Sequence, residues 1–138
     1  MQGRVSVVTG ANRGLGKETA LGLARQGATV VLLGRDATRL VRASDDIKRA
    51  SRNPDVSHVV VDLGSLESVR TAAAEIARRF PVIHVLVNNA GVTLKRRVIS
   101  RDGYEMTFAV NHLGPFLLTN LLLPLLRAGA PSRIINVT

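Results

Sequence analysis

Two spacings of apolar residues alternate along this chain. Short runs rich in valine and isoleucine occur at RVSVVT (4–9), ATVVLL (28–33), SHVVVDL (57–63), VIHVLVN (82–88) and RIINVT (133–138), mostly apolar on both faces. Strands covered by helices on both sides of a parallel sheet read this way. Between them lie helix-like segments at 14–26, 36–51, 66–79 and about 103–127. Regular alternation of strand and helix implies right-handed crossovers and a doubly wound α/β parallel sheet. Five strands would then order 3-2-1-4-5, with ligands at their carboxyl ends near the crevice between strands 1 and 4.

Punctuation fits these boundaries. Gly27 follows the first helix as a C-terminal cap. Ser65, with Glu67 and Ser68 behind it, opens the third helix with a capping side chain and early negative charge. Pro54 lies in the polar connection SRNPD, and Pro81 closes the third helix after Arg78 and Arg79. Pro115 and Pro124 fall inside the fourth helix and are expected to kink or divide it.

The chain has 138 residues, 46% of them hydrophobic, which suffices for one domain with a buried core. Residues 1–138 read as that single domain, with no repeat, linker or low-complexity segment. There is no cysteine, so disulfides and thiolate metal sites are excluded, and no metal is expected. No signal peptide is legible in MQGRVSVVTG. These features together suggest a cytoplasmic protein. The most apolar stretch, Leu113 to Leu126, is short for a membrane span and carries Thr119, Asn120 and two prolines. It is read as a buried helix, with no membrane span expected. The net charge of +9 raises the question of nucleic acid. The cations are scattered, however, and only Phe80, Tyr104, Phe108 and Phe116 are aromatic, so no stacking platform is apparent and no nucleic-acid partner is expected.

The first strand runs into TGANRGLG, Thr9 to Gly16, and the first helix follows. A helix N-terminus leaves backbone N–H groups without partners and favours negative charge. Glycine lets a phosphate approach that backbone closely. The local chemistry is that of a diphosphate site, although a tight turn packing a helix onto a sheet asks for the same glycines. The spacing G-x-x-x-G-x-G differs from G-x-G-x-x-G, and no GK[ST] follows to make a P-loop.

TGANRGLG, VDL at 61–63, NNAG at 88–91 and NHLGPF from Asn111 occur in this order, and together they resemble the short-chain dehydrogenase/reductase family over essentially the whole chain. The wording from RDGYEMTF to RIINV is similar to its retinol-dehydrogenase-like branch. The resemblance implies a Rossmann-type NAD(P)-binding domain and hydride transfer between a nicotinamide and a small-molecule carbonyl or alcohol substrate. It implies that Gly10, Gly14 and Gly16, with Asn12, Arg13 and Leu15 of the same turn, frame the cofactor diphosphate. Asp62 would accept a hydrogen bond from the adenine amino group, with Leu63 packing nearby. Asn88, Ala90 and Gly91 would close the fourth strand beside the cofactor, Asn88 partly as a tie between strands. Asn111 would be the active-site asparagine, holding a water at a helix irregularity that Gly114 and Pro115 support. A helix-interior asparagine making local bonds is the alternative.

The second strand ends TVVLLGRD. In the family an acidic residue at the strand end selects NAD. That position is Gly34 here, and Arg35 follows. A guanidinium there can pair with a 2′-phosphate, and Arg13 can approach it from the glycine turn. NADP is therefore expected over NAD, unless Arg35 is merely solvated. Asp36, one place on, is expected to cap the next helix.

The family's acid/base is a tyrosine whose pKa is lowered by a lysine four residues later, beside a serine. The one tyrosine here, Tyr104, has Phe108 four residues on and lies upstream of Asn111. The chain therefore reads as the amino-terminal cofactor half of a reductase, truncated after the fifth strand and inactive alone. A non-catalytic half-domain that binds a dinucleotide or partner is the other reading. The fifth strand would be an open edge, Leu117, Leu118, Leu121, Leu122 and Leu125 would expose part of an apolar face, and a homo-oligomer is conceivable.

Overall fold

In the computed structural model, which describes residues 1–138, β1 (Val5–Thr9), β2 (Thr29–Gly34), β3 (Val56–Val60), β4 (Val85–Asn88) and β5 (Arg133–Asn136) form one sheet. All pairings are parallel and the order is β3-β2-β1-β4-β5. This is the doubly wound, Rossmann-type arrangement that the alternating pattern implies.

Successive residues of a strand point to opposite faces, and both faces of β1, β2 and β4 are covered. Val8, Val30 and Leu32 pack with Ala20 and Ala24 of α1 (Gly14–Arg25) and with Leu40 and Ile47 of α2 (Ala37–Ser51). Val7, Val31 and Leu33 meet Ile76 of α3 (Leu66–Arg79) and the leucines of α5 (Gly114–Ala128) on the other face. α1 buries Gly16, Ala20 and Ala24, a line of small residues one turn apart that seats the helix close to the sheet.

The punctuation residues act as expected. Gly27 takes φ +82°, and the N–H groups of Gly27 and Ala28 close α1 onto the carbonyls of Ala24 and Leu23. Ser65 Oγ accepts from Ser68 N–H at 3.3 Å, and Asp36 Oδ1 accepts from Arg39 N–H at 3.0 Å.

Five expectations need correction. β3 ends at Val60, not Leu63: Val61 N–H still reaches Gly34 O at 2.8 Å, but Asp62 N–H turns to Ser68 Oγ at 2.9 Å and the chain leaves the sheet. The fourth helical run starts at Met106, where Glu105 caps it, and remains helical through Ala128. It comprises α4 (Met106–Phe108), a π-helical stretch (Ala109–Leu113) and α5. Neither proline divides it. The widened stretch puts Pro115 at the start of α5, where a missing N–H is tolerated, and Pro124 lies on the exposed side, where solvent can reach the carbonyl it frees. At 23 residues the whole run is long and apolar enough to cross a membrane, so the argument from shortness does not hold; in this structure Leu118, Leu122 and Leu126 pack it into the core. Finally, Leu118 and Leu122 are fully buried and Leu117, Leu121 and Leu125 are half-buried. The open side carries Phe108, His112 and Phe116 in a stacked row, while Ile134 and Ile135 are exposed on the edge strand β5.

Candidate functional site: a cleft at the strand ends

A cleft of about 550 Å³ opens over the carboxyl ends of β1 to β4. Its floor is built by hydrogen bonds between the β1 and β4 exits. Thr9 is fully buried, and its hydroxyl accepts from the N–H groups of Asn89 and Ala90, each at 3.0 Å. Asn89 Nδ2 donates to Thr9 O at 3.0 Å and to Gly10 O at 3.5 Å. The loop after β4 is thereby pinned to the glycine turn.

This pinning separates the three glycines. A Cβ on Gly10, which has φ +65°, would lie 2.9 Å from Ala90 Cα. One on Gly16 would overlap the Asn89 amide and the Gly10 carbonyl. Both are needed to pack α1 against the β4 loop. Gly14 differs: it has φ +54°, and a Cβ there would meet nothing within 4 Å. It faces open space at the first turn of α1.

That first turn lacks a partner. Arg13 is the extended N-cap residue of α1, no side chain accepts from the N–H groups there, and the first turn holds no acid. α2, α3 and α4 are each capped by their own Asp36, Ser65 or Glu105. Exposed first-turn N–H groups and a positive dipole end suit an anion.

Arg13, Arg35 and Arg39 line the cleft, together with Asn12, Leu15 and Gly34. Arg39 was not singled out from the sequence; the available signal is its place three residues after Asp36, the cap of α2. Asp36 also lines the cleft, but both carboxylate oxygens are engaged by Arg39: Oδ1 by its backbone N–H, and Oδ2 by Nε at 3.3 Å. Asp62, Leu63, Ala90 and Gly91 line the far side, with Asp62 Oδ1 accepting from Gly64 N–H at 2.9 Å.

Asn88, placed with the cofactor residues above, does not line the cleft. Its Nδ2 donates to Asn136 Oδ1 at 2.9 Å and to Thr119 Oγ1 at 3.1 Å, tying β4 to β5 and α5. Strand alternation explains this: Asn88 points into the sheet's packing, and the next residue, Asn89, turns to the glycine loop. Asn111 sits in the π-helical stretch, outside the cleft lining. Its amide closes a two-way clamp on Val92, accepting from N–H and donating to the carbonyl, each at 2.8 Å. Its bonds are thus long-range, and they hold the loop leaving β4. Tyr104 is exposed, and its backbone N–H bonds Ser100 Oγ at 3.2 Å outside the cleft.

Two carboxylates outside the cleft are held below their ordinary range. Hydrogen bonds from Lys17 and Arg49 lower Asp46, linking α1 to α2, and backbone N–H groups of Phe108 and Thr107 lower Glu105.

An open glycine, an uncapped helix start and the guanidinium groups of Arg13 and Arg35 fit a polyanionic ligand with a diphosphate. The short chain dehydrogenase family model matches residues 4–138. Human retinol dehydrogenase 13 is 48% identical over 136 residues, covering 99% of this chain and 41% of that protein. Human dehydrogenase/reductase SDR family member 13 is 47% identical, with 99% of this chain and 36% of that protein covered. The chain therefore spans about two fifths of the length of these relatives. Among solved structures, a metagenomic short-chain oxidoreductase in complex with NADP is 31% identical with a TM-score of 0.87, covering 99% of this chain and 62% of that one. L-Sorbose reductase from Gluconobacter frateurii, complexed with NADPH and L-sorbose, is 28% identical with a TM-score of 0.86, covering 99% and 52%.

Proposed function

Because this chain belongs to the short chain dehydrogenase family, we propose that its residues form the dinucleotide cleft of an NADP-dependent oxidoreductase acting on a carbonyl or alcohol. The observation that carries this reading is the uncapped start of α1, open at Gly14, facing the same cleft as Arg13 and Arg35. When bound, the nicotinamide would supply the hydride. The first-turn N–H groups of α1 hold the diphosphate, Arg13 and Arg35 hold a 2′-phosphate, and Asp62 and Leu63 receive the adenine. Neighbours that carry NADP or NADPH support this preference over NAD.

The relatives named as retinol dehydrogenases favour a lipophilic alcohol or aldehyde as substrate of the whole protein. These 138 residues alone bind without turning over, because a phenol near pKa 10 needs a nearby cation to act at neutral pH, and Tyr104 stands outside the cleft with Phe108 in the lysine's place.

Titration of the chain with NADPH and NADH by calorimetry tests the assignment. NADPH should bind more tightly, and Arg35→Ala should weaken NADPH far more than NADH, by at least about tenfold for one lost charge-assisted contact. Equal losses for both would overturn the role of Arg35.

A further inference from the structure

We propose that the Asp36–Arg39 pair is a second selector between dinucleotides, in which Arg39 acts as a positioning residue by occupying the Asp36 carboxylate. The inference rests on the NADP reading of the cleft and extends it to two residues with no role in that reading. Asp36 directly follows Arg35 and lines the same cleft. A carboxylate at this place has two possible effects on a dinucleotide. It can accept hydrogen bonds from ribose hydroxyls, which favours the form without a 2′-phosphate, or it can repel that phosphate.

In this structure Asp36 is committed elsewhere. Oδ1 accepts from Arg39 N–H at 3.0 Å, and Oδ2 faces Arg39 Nε at 3.3 Å. One residue thus engages both oxygens, and it brings a positive charge to the cleft while doing so. The backbone bond alone would cap α2, and any residue at position 39 supplies it. The guanidinium is what neutralises the second oxygen. Because the pair is largely exposed, its value to stability is small. Its consequence lies in the sign of charge beside Arg35: with Arg39 the pair is neutral, and without it an anion stands there.

The test is calorimetric binding of NADPH and NADH to the parent chain, Arg39→Ala, Asp36→Ala and the double variant, with circular dichroism to verify folding. Arg39→Ala should weaken NADPH by about tenfold and leave NADH equal or tighter, so that the ratio of the two affinities shifts. Adding Asp36→Ala to Arg39→Ala should recover most of the NADPH loss, because the anion that Arg39 occupied is gone. An unchanged affinity ratio in Arg39→Ala overturns the inference while leaving the NADP reading intact. A double variant as weak as Arg39→Ala overturns the positioning role and makes Arg39 a direct contact. Failure of the folded parent chain to bind either dinucleotide overturns the cleft assignment and this inference with it.

Discussion

The starts of α1 and α4 solve the same physical problem in opposite ways. Every helix begins with N–H groups that lack an intrahelical partner. At α4, Glu105 supplies both carboxylate oxygens, to Thr107 N–H at 2.9 Å and Phe108 N–H at 2.8 Å. At α1 the cap position holds Arg13, whose side chain cannot accept, and the next residue is Gly14, with nothing in front of it. One start is finished by the chain, and the other is left for an external anion. The cost of the second arrangement is of the order of one cap, about 1 kcal/mol. The difference teaches where to look for function: at the place where local rules of stability are not met although a common residue would meet them.

The largest effect should come from disturbing the packing that presents α1. Gly16→Ala places a Cβ against the Gly10 carbonyl and the Asn89 amide, atoms fixed by the β1 and β4 exits. A loss of about 3 kcal/mol is expected from such overpacking, read as a lowered denaturant midpoint. Gly14→Ala meets no atom, so only its positive φ is strained, at about 1 kcal/mol. The two variants should therefore differ in stability by about 2 kcal/mol, the difference between those two estimates. Equal losses would mean that the asymmetry between the two glycines is not real.

Next in size is the conversion of one kind of start into the other. Arg13→Asp puts an acceptor at a cap position whose backbone is already extended. It should stabilise the chain by about 1 kcal/mol and at the same time weaken NADPH by more than tenfold, through loss of a cation and gain of a competing anion. Opposite changes in the two quantities are the signature of a start kept open for a ligand. A variant that gains stability and retains its NADPH affinity would show that the first turn of α1 holds no phosphate.

The α/β layout was legible in the sequence because both periodicities are strong and the punctuation is local: Gly27, Ser65 and Asp36 act through residues within a few positions of themselves. The end of β3 and the start of the fourth helical run were less so, since each is settled by one side chain against the apolar pattern: Asp62 N–H turns to Ser68 Oγ, and Glu105 caps the helix at Thr107 and Phe108. Within the site, the glycine turn and Arg35 were readable from order alone. The exchange of parts between Asn88 and Asn89 was not, because it is settled by which side of β4 faces Thr119 and which faces the glycine turn. Asn53 was missed altogether; it is buried, with its Nδ2 donating to the carbonyls of Ala24 and Ala28, each at 2.9 Å. An asparagine in a polar connection gives no hint that it closes the end of a distant helix. Arg39 looked like one of many scattered cations, and only its contact with Asp36 sets it apart.

The smallest expected effect tests the finished start directly. Glu105 is held below its ordinary value of 4.5, chiefly by the N–H groups of Phe108 and Thr107, which favour the charged form. A carboxylate whose folded pKa is depressed binds fewer protons in the folded state than in the unfolded state across that interval. Its contribution to stability is therefore fully present above 4.5 and is lost as the pH falls through the lower, folded value. Thermal midpoints of the chain and of Glu105→Gln, measured from neutral pH down to about pH 3, should converge as the pH falls, because protonation removes from the parent what the amide lacks throughout. Parallel curves would mean that the charge on Glu105 contributes nothing to capping α4. The contrast with α1 would then rest on the ligand-free start alone. Convergence would establish that charge at a helix start matters in this chain, which is the condition for an anion to matter at the start of α1.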